Sequence, residues 1–179
     1  FSNRFGSIKL CAKLADGRTV FQHTLANLAS AIPDIIVVTR SELGPLLSED
    51  SPRMLIFPDA EQGMGASLAF GVAHIGDWDA CLVCLADMPA ILPASYAAIQ
   101  DKLTADTIVV PRYHGKPGNP CGFGRNYFAA LQSLRGDRGG RSVINSNPGA
   151  VVYLDIEDPG LLCDIDTPED IQKLAGRTP

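Results

Sequence analysis

Apolar positions recur at helical spacing through Phe21, Leu25, Leu28 and Ile32, and after Pro33 the run Ile35-Ile36-Val37-Val38-Thr39 reads as a strand. That αβ step repeats along the chain. A short strand fits Met54 to Phe57, a helix fits Ala66 to His74, and a buried apolar strand runs from Cys81 toward Asp87. Pro93 opens a helix to Leu103, Thr107 to Val110 reads as a strand, and Tyr127 to Leu134 as a helix. Ser142 to Asn145 adds a helical turn, and Val151 to Ile156 a further strand. Near the end, Thr167-Pro168-Glu169-Asp170 combines an N-cap residue, a proline at the first helical position and acids in the first turn. Alternation of this kind predicts a three-layer α/β/α sandwich with a mostly parallel sheet. No internal repeat, low-complexity tract or linker interrupts it, so residues 1–179 read as one domain.

The strand from Cys81 ends on a single carboxylate and a proline, Asp87-Met88-Pro89. Ligands gather at the carboxyl edge of such a sheet, and a charge buried there without a partner costs several kcal/mol. A metal cation removes that cost; a cap on the following helix is the plainer use of the same residue. Cys163-Asp164-Ile165-Asp166-Thr167 places two acids on one side of an extended chain, either of which can join Asp87 around Mg²⁺. At the start, Ser2, Arg4, Gly6 and Lys9 combine a glycine turn with two cations, as a polyphosphate requires.

Composition narrows the partners. A chain of 179 residues, 46% hydrophobic, forms one ordinary core, and a net charge of -5 without a Lys/Arg cluster argues against a nucleic-acid or anionic-membrane surface. No apolar run approaches the roughly 20 residues of a membrane span and the start lacks a signal-peptide core, so the chain reads as cytoplasmic. Five cysteines lack the spacing of a disulfide framework. Cys81 and Cys84, three apart in a strand, point to opposite faces and read as core residues. His23, His74 and His114 lack ligand spacing, which argues against structural zinc.

Together these segments resemble the MobA-like nucleotidyltransferase family, enzymes that attach a nucleotide to molybdopterin cofactors. The family's phosphate loop, Leu-Ala-Ala-Gly-x-Ser-x-Arg-hydrophobic-Gly-x-x-Lys, is matched in its second half by Ser2, Arg4, Gly6 and Lys9. Its Gly-Asp-Met-Pro segment is matched by Ala86 to Pro89, and its acid-x-acid-Thr-Pro-Glu segment from Asp164 to Glu169. Gln62 to Leu68 resembles the loop near the nucleobase, and Gly136 to Arg141 a loop of the cytidylyltransferase-like branch.

The resemblance implies a Rossmann-like nucleotidyltransferase fold and Mg²⁺-dependent transfer of NMP from an NTP, CTP foremost, to the terminal phosphate of a molybdopterin-type acceptor. It assigns Arg4, Lys9 and Asp87 to catalysis and Asp87 and Asp164 to the metal. Ser2, Arg4, Gly6, Lys9, Gly63, Gly65, Ser67 and Asp87 are assigned to the nucleotide, and Asn119, Asp137, Arg138 and Arg141 to the acceptor. It also leaves room for contact with a molybdoenzyme or cofactor-delivery protein. Three departures stand out. The family's first strand and the start of its loop have no counterpart after Phe1, so an upstream segment is expected; Ala86 replaces glycine; and Asn119 stands where that branch commonly has histidine. The competing expectations are a sugar-phosphate nucleotidyltransferase, a nucleotide binder without catalysis, and a hydrolase using Ser67, Asp87 and His114 in that order.

Overall fold

A computed structural model describes residues 9–47 and 53–175. After a 3₁₀ turn at Lys9–Cys11 come α1 (Val20–Ala29), β1 (Val37–Thr39), α2 (Gly44–Leu47), β2 (Met54–Ile56), α3 (Met64–Val72), β3 (Ala80–Val83) and α4 (Pro93–Gln100). There follow β4 (Ile108–Tyr113), β5 (Lys116–Pro117), β6 (Cys121–Gly124), α5 (Phe128–Gln132), α6 (Arg141–Ser146), β7 (Val151–Asp155) and α7 (Pro168–Ala175). The expected elements are present, with shifted ends: β1 starts two residues late, β3 stops before Cys84, and α3 begins at Met64. Thr19 caps α1 through a reciprocal box with Gln22, and Pro93 opens α4. Among the described residues no helix is long and apolar enough to cross a membrane.

β1 and β2 pair in parallel, while the larger sheet runs β3-β6-β4-β5 with β7 on the other side of β4. The expectation of a mostly parallel sheet is met in part. β4 and β7 are parallel, but β6 lies antiparallel to both β3 and β4, and β5 is antiparallel to β4. The strand β6, Cys-Gly-Phe-Gly, carries no alternating pattern to announce it. Its composition has a packing cause: a Cβ on Gly124 would collide with the main-chain carbonyls of Thr104 and Ala105, so close approach of the backbone requires glycine there.

Because β6 is antiparallel to β3 and β4 alike, those two strands and β7 end on one edge, and the chain leaves β3 toward Asp87 at that edge. Successive β3 residues feed opposite faces. Cys81 packs with Val72, Leu131 and Phe123, on the side of α3, α5 and α6, whereas Leu82 and Cys84 pack with Met88, Ile91 and Tyr96, toward α1 and α4. This makes the three layers. Among the described residues β1 pairs with β2 and β3 with β6, each on one side only, and a cavity of about 1170 Å³ is lined by Val38 of β1, Leu82 of β3 and their neighbours Ile36 and Cys84.

Candidate active site

Asp87 is held by main chain and side chain. Its carbonyl accepts a hydrogen bond of 2.9 Å from Ile165 N–H, and its Oδ2 lies 2.6 Å from Lys9 Nζ. The same ammonium donates to Asp166 Oδ1 at 2.9 Å. Partial burial opposes the Lys9 charge, but the carboxylates of Asp166 and Asp87 outweigh it and raise the lysine pKa above its usual value. Lys9 therefore ties the amino-terminal segment to both acidic segments.

The two acids around Ile165 are thereby told apart. Ile165 is buried at 3% exposure and pinned to Asp87 by its amide, leaving Asp164 and Asp166 exposed on either side, and Asp166 is the one that shares Lys9 with Asp87. The sequence pointed to Asp164 as the partner of Asp87; the carboxylate that Lys9 brings beside Asp87 is that of Asp166. Asp170, missed from the sequence, orients it, because its Oδ2 accepts from Asp166 N, Thr167 N and Thr167 Oγ1. Its signal was the Thr-x-x-acid spacing at a helix start. The Lys173 ammonium and then Thr167 hold the Asp170 pKa well below the usual carboxylate value.

The donor set fits a hard cation. Asp87 Oδ1 is buried and has no hydrogen-bond partner among the described residues, an expense that a bound cation would remove. Among the described residues no group of three or more His, Cys, Asp or Glu converges, so phosphate and water would complete such a site. Burial pushes the Cys81 and Cys84 thiols up to about 12, and the neighbouring thiols of Cys81 and Cys121 add to the rise at Cys84.

The structure also joins the expected nucleobase and acceptor loops. Gly65 N–H donates to Gly136 O at 2.8 Å, and a Cβ on Gly65 would strike the Arg138 carbonyl. Ser67, Asn119, Asp137 and Arg141 are among the residues that line the same cavity as Val38 and Leu82. Gly63 lies at the start of this region, with Ser67 Oγ donating to its carbonyl at 3.3 Å. Arg138 is exposed, and its main-chain carbonyl is what stands against Gly65. Asn119 N–H donates to Leu161 O at 3.0 Å. Ser2, Arg4 and Gly6 lie outside the described residues. The hydrolase trio is not assembled: Ser67 turns to Gly63, Asp87 to Lys9, and His114 Nε2 to Glu157 at 3.4 Å.

The model of the MobA-like NTP transferase domain matches residues 1–151. The chain belongs to that family. This MobA-like chain is accordingly a nucleotidyltransferase. Purine catabolism protein PucB of Bacillus subtilis (strain 168) is 30% identical to it over 183 residues, 94% of this chain and 88% of PucB. The crystal structure of Rv0371c from Mycobacterium tuberculosis H37Rv matches with a TM-score of 0.83 at 26% identity, covering 98% of this chain and 92% of that one. The complex of Rv0371c with manganese matches with a TM-score of 0.81 at 25% identity, covering 98% and 95%.

Proposed function

We propose that this chain transfers the nucleoside monophosphate of an NTP, CTP foremost, to the terminal phosphate of a molybdopterin-type acceptor. An acceptor phosphate oxygen bonds to the α-phosphorus, the bond from that phosphorus to the pyrophosphate oxygen breaks, and pyrophosphate leaves. No general base is needed, because a phosphate monoester is already ionised at neutral pH. Catalysis is positioning and charge neutralisation.

The observation that carries this reading is the ammonium of Lys9 set 2.6 Å from Asp87 and 2.9 Å from Asp166 at the carboxyl edge of the sheet. Asp87 and Asp166 would hold a divalent cation, Mg²⁺ in the first instance, and the manganese complex of Rv0371c supports a divalent ion. When bound, that ion supplies charge neutralisation and alignment for the phosphates. Lys9, with Arg4, neutralises the departing pyrophosphate. Gly63, Gly65 and Ser67 face the nucleotide, and Asn119, Asp137, Arg138 and Arg141 the acceptor, with the Gly65–Gly136 hydrogen bond holding the two substrates' loops in register.

The test is pyrophosphate release with Mg²⁺ or Mn²⁺, supplying CTP, GTP or ATP in turn with molybdenum cofactor and then with sugar phosphates. Release with one nucleotide and molybdenum cofactor is the expected result. Release only with a sugar phosphate reassigns the acceptor, and nucleotide binding without release under any pairing overturns the catalytic reading.

A further inference from the structure

Both halves of the Lys9–Asp87 pair are referenced to a single helix. On one side, Val20 N–H at the start of α1 donates to Ala12 O at 2.9 Å, Lys13 bridges Thr19, and Ala12 N–H returns to Lys9 O at 3.2 Å. The turn bearing Lys9 thus hangs on the amino end of α1. On the other side, two polar residues of α1 reach the turn that bears Asp87. His23 Nδ1 lies 3.1 Å from Pro89 O, a hydrogen bond when Nδ1 carries the proton, and Asn27 Nδ2 donates to Pro89 O at 3.0 Å and to Ile91 O at 3.1 Å.

His23 and Asn27 are one helical turn apart and so share a face beside the apolar stripe of Val20, Phe21 and Leu25. Packing alone would be met by apolar side chains there, since Met88 and Ile91 are each 2% exposed and already form an apolar cluster with Leu28. With Nδ1 of His23 protonated, two donors instead fill both lone pairs of one carbonyl, two residues after the carboxylate, and fix its peptide plane. His23 also faces the Lys9 side of the site: its Nε2 is 3.6 Å from Asp16 Oδ2, a carboxylate gripped by Arg18 in the turn between the Lys9 segment and α1.

We propose that His23 and Asn27 are positioning residues that hold the Asp87–Ile91 turn in register with Lys9, and so set the cation site and the transfer rate. The proposal rests on the reading of Asp87 as a cation ligand in nucleotidyl transfer. A carboxylate displaced by about an ångström costs roughly 10²-fold in rate without altering how the nucleotide is held elsewhere.

The experiment takes His23→Leu, Asn27→Leu and the double variant, with His23→Asn as the rescue, because its amide nitrogen falls near the place of imidazole Nδ1. Mn²⁺ binding to the free protein is read by electron paramagnetic resonance, alongside kcat, nucleotide KM and thermal unfolding. The leucine variants are expected to lose roughly tenfold in Mn²⁺ affinity and about 10²-fold in kcat, with KM within about twofold, and His23→Asn to recover most of the loss. If a leucine variant does not fold, Asn27→Ser, too short to bridge both carbonyls, takes its place. Unchanged Mn²⁺ affinity and kcat in folded variants overturn the proposal, as does a loss that follows melting temperature and is not restored by His23→Asn. Wild-type protein that binds Mn²⁺ but transfers nothing removes the reaction alone, and the variants' Mn²⁺ affinities still decide the clamp. Absence of Mn²⁺ binding by the wild type overturns both.

Discussion

Asp164→Asn and Asp166→Asn are the same chemical change made two residues apart on one side of an extended segment, and the structure assigns them different consequences. Asp166 accepts from Lys9 at 2.9 Å, and its side chain is 58% exposed. An ion pair so open to water contributes no more than about 1 kcal/mol to stability. In a chain of this size that moves the melting temperature by about 2–4 °C. Activity is a different matter, because a charge lost from a site that stabilises transferring phosphate costs on the order of 10²–10³ in kcat/KM, or about 2.7–4 kcal/mol of activation free energy. Asp166→Asn should therefore nearly silence pyrophosphate release while melting close to wild type. Asp164→Asn should leave both within about twofold and a degree or two. Release assays and melting curves in one buffer check this. An inactive Asp164→Asn beside an active Asp166→Asn would refute the assignment drawn from the Lys9 contacts.

Asp158 is 1% exposed and accepts from Leu92 N, Ser95 Oγ and Gly160 N at 2.9, 2.6 and 2.8 Å, so Asp158→Ala strands two donors at the start of α4 and a third in the turn that Asp158 itself caps. Urea denaturation should show a loss of roughly 3–5 kcal/mol. Gly65→Ala forces a Cβ against the Arg138 carbonyl and should separate the two substrate loops; steady-state kinetics with each substrate varied should show kcat/KM down at least tenfold for both, on a destabilisation of about 1–3 kcal/mol. Asp170 has a lowered pKa, so its stabilising contribution is complete above the unfolded value near 4 and declines as pH falls through the lower folded value. The difference in urea midpoint between wild type and Asp170→Asn should hold steady from about pH 7 to 4 and shrink below that.

Much of the fold was legible along the chain because burial imposes a period. The spacing of Phe21, Leu25 and Leu28 announced α1, and the apolar run into Asp87 announced β3 and the carboxyl edge where chemistry gathers. What escaped was β6, since Gly122 and Gly124 carry no side chain for a period to register, and the demand they answer is made by the chain segment from Leu103 to Ala105. The direction of β6 then decided that the sheet is mixed.

The candidate site divides in the same way. Residue type and order determined that an acid ends β3, that a Lys precedes α1, and that an acid-x-acid pair precedes α7; these are local facts and they carried the family. Only the tertiary structure shows which acid Lys9 reaches, since a period of two places Asp164 and Asp166 on the same side and cannot separate them. The choice is made by the hydrogen bond from Ile165 to Asp87, which fixes where the segment docks, and by Lys9, which reaches one carboxylate from there. Periodicity determines the face a residue occupies; docking between segments distant in sequence determines what that face meets.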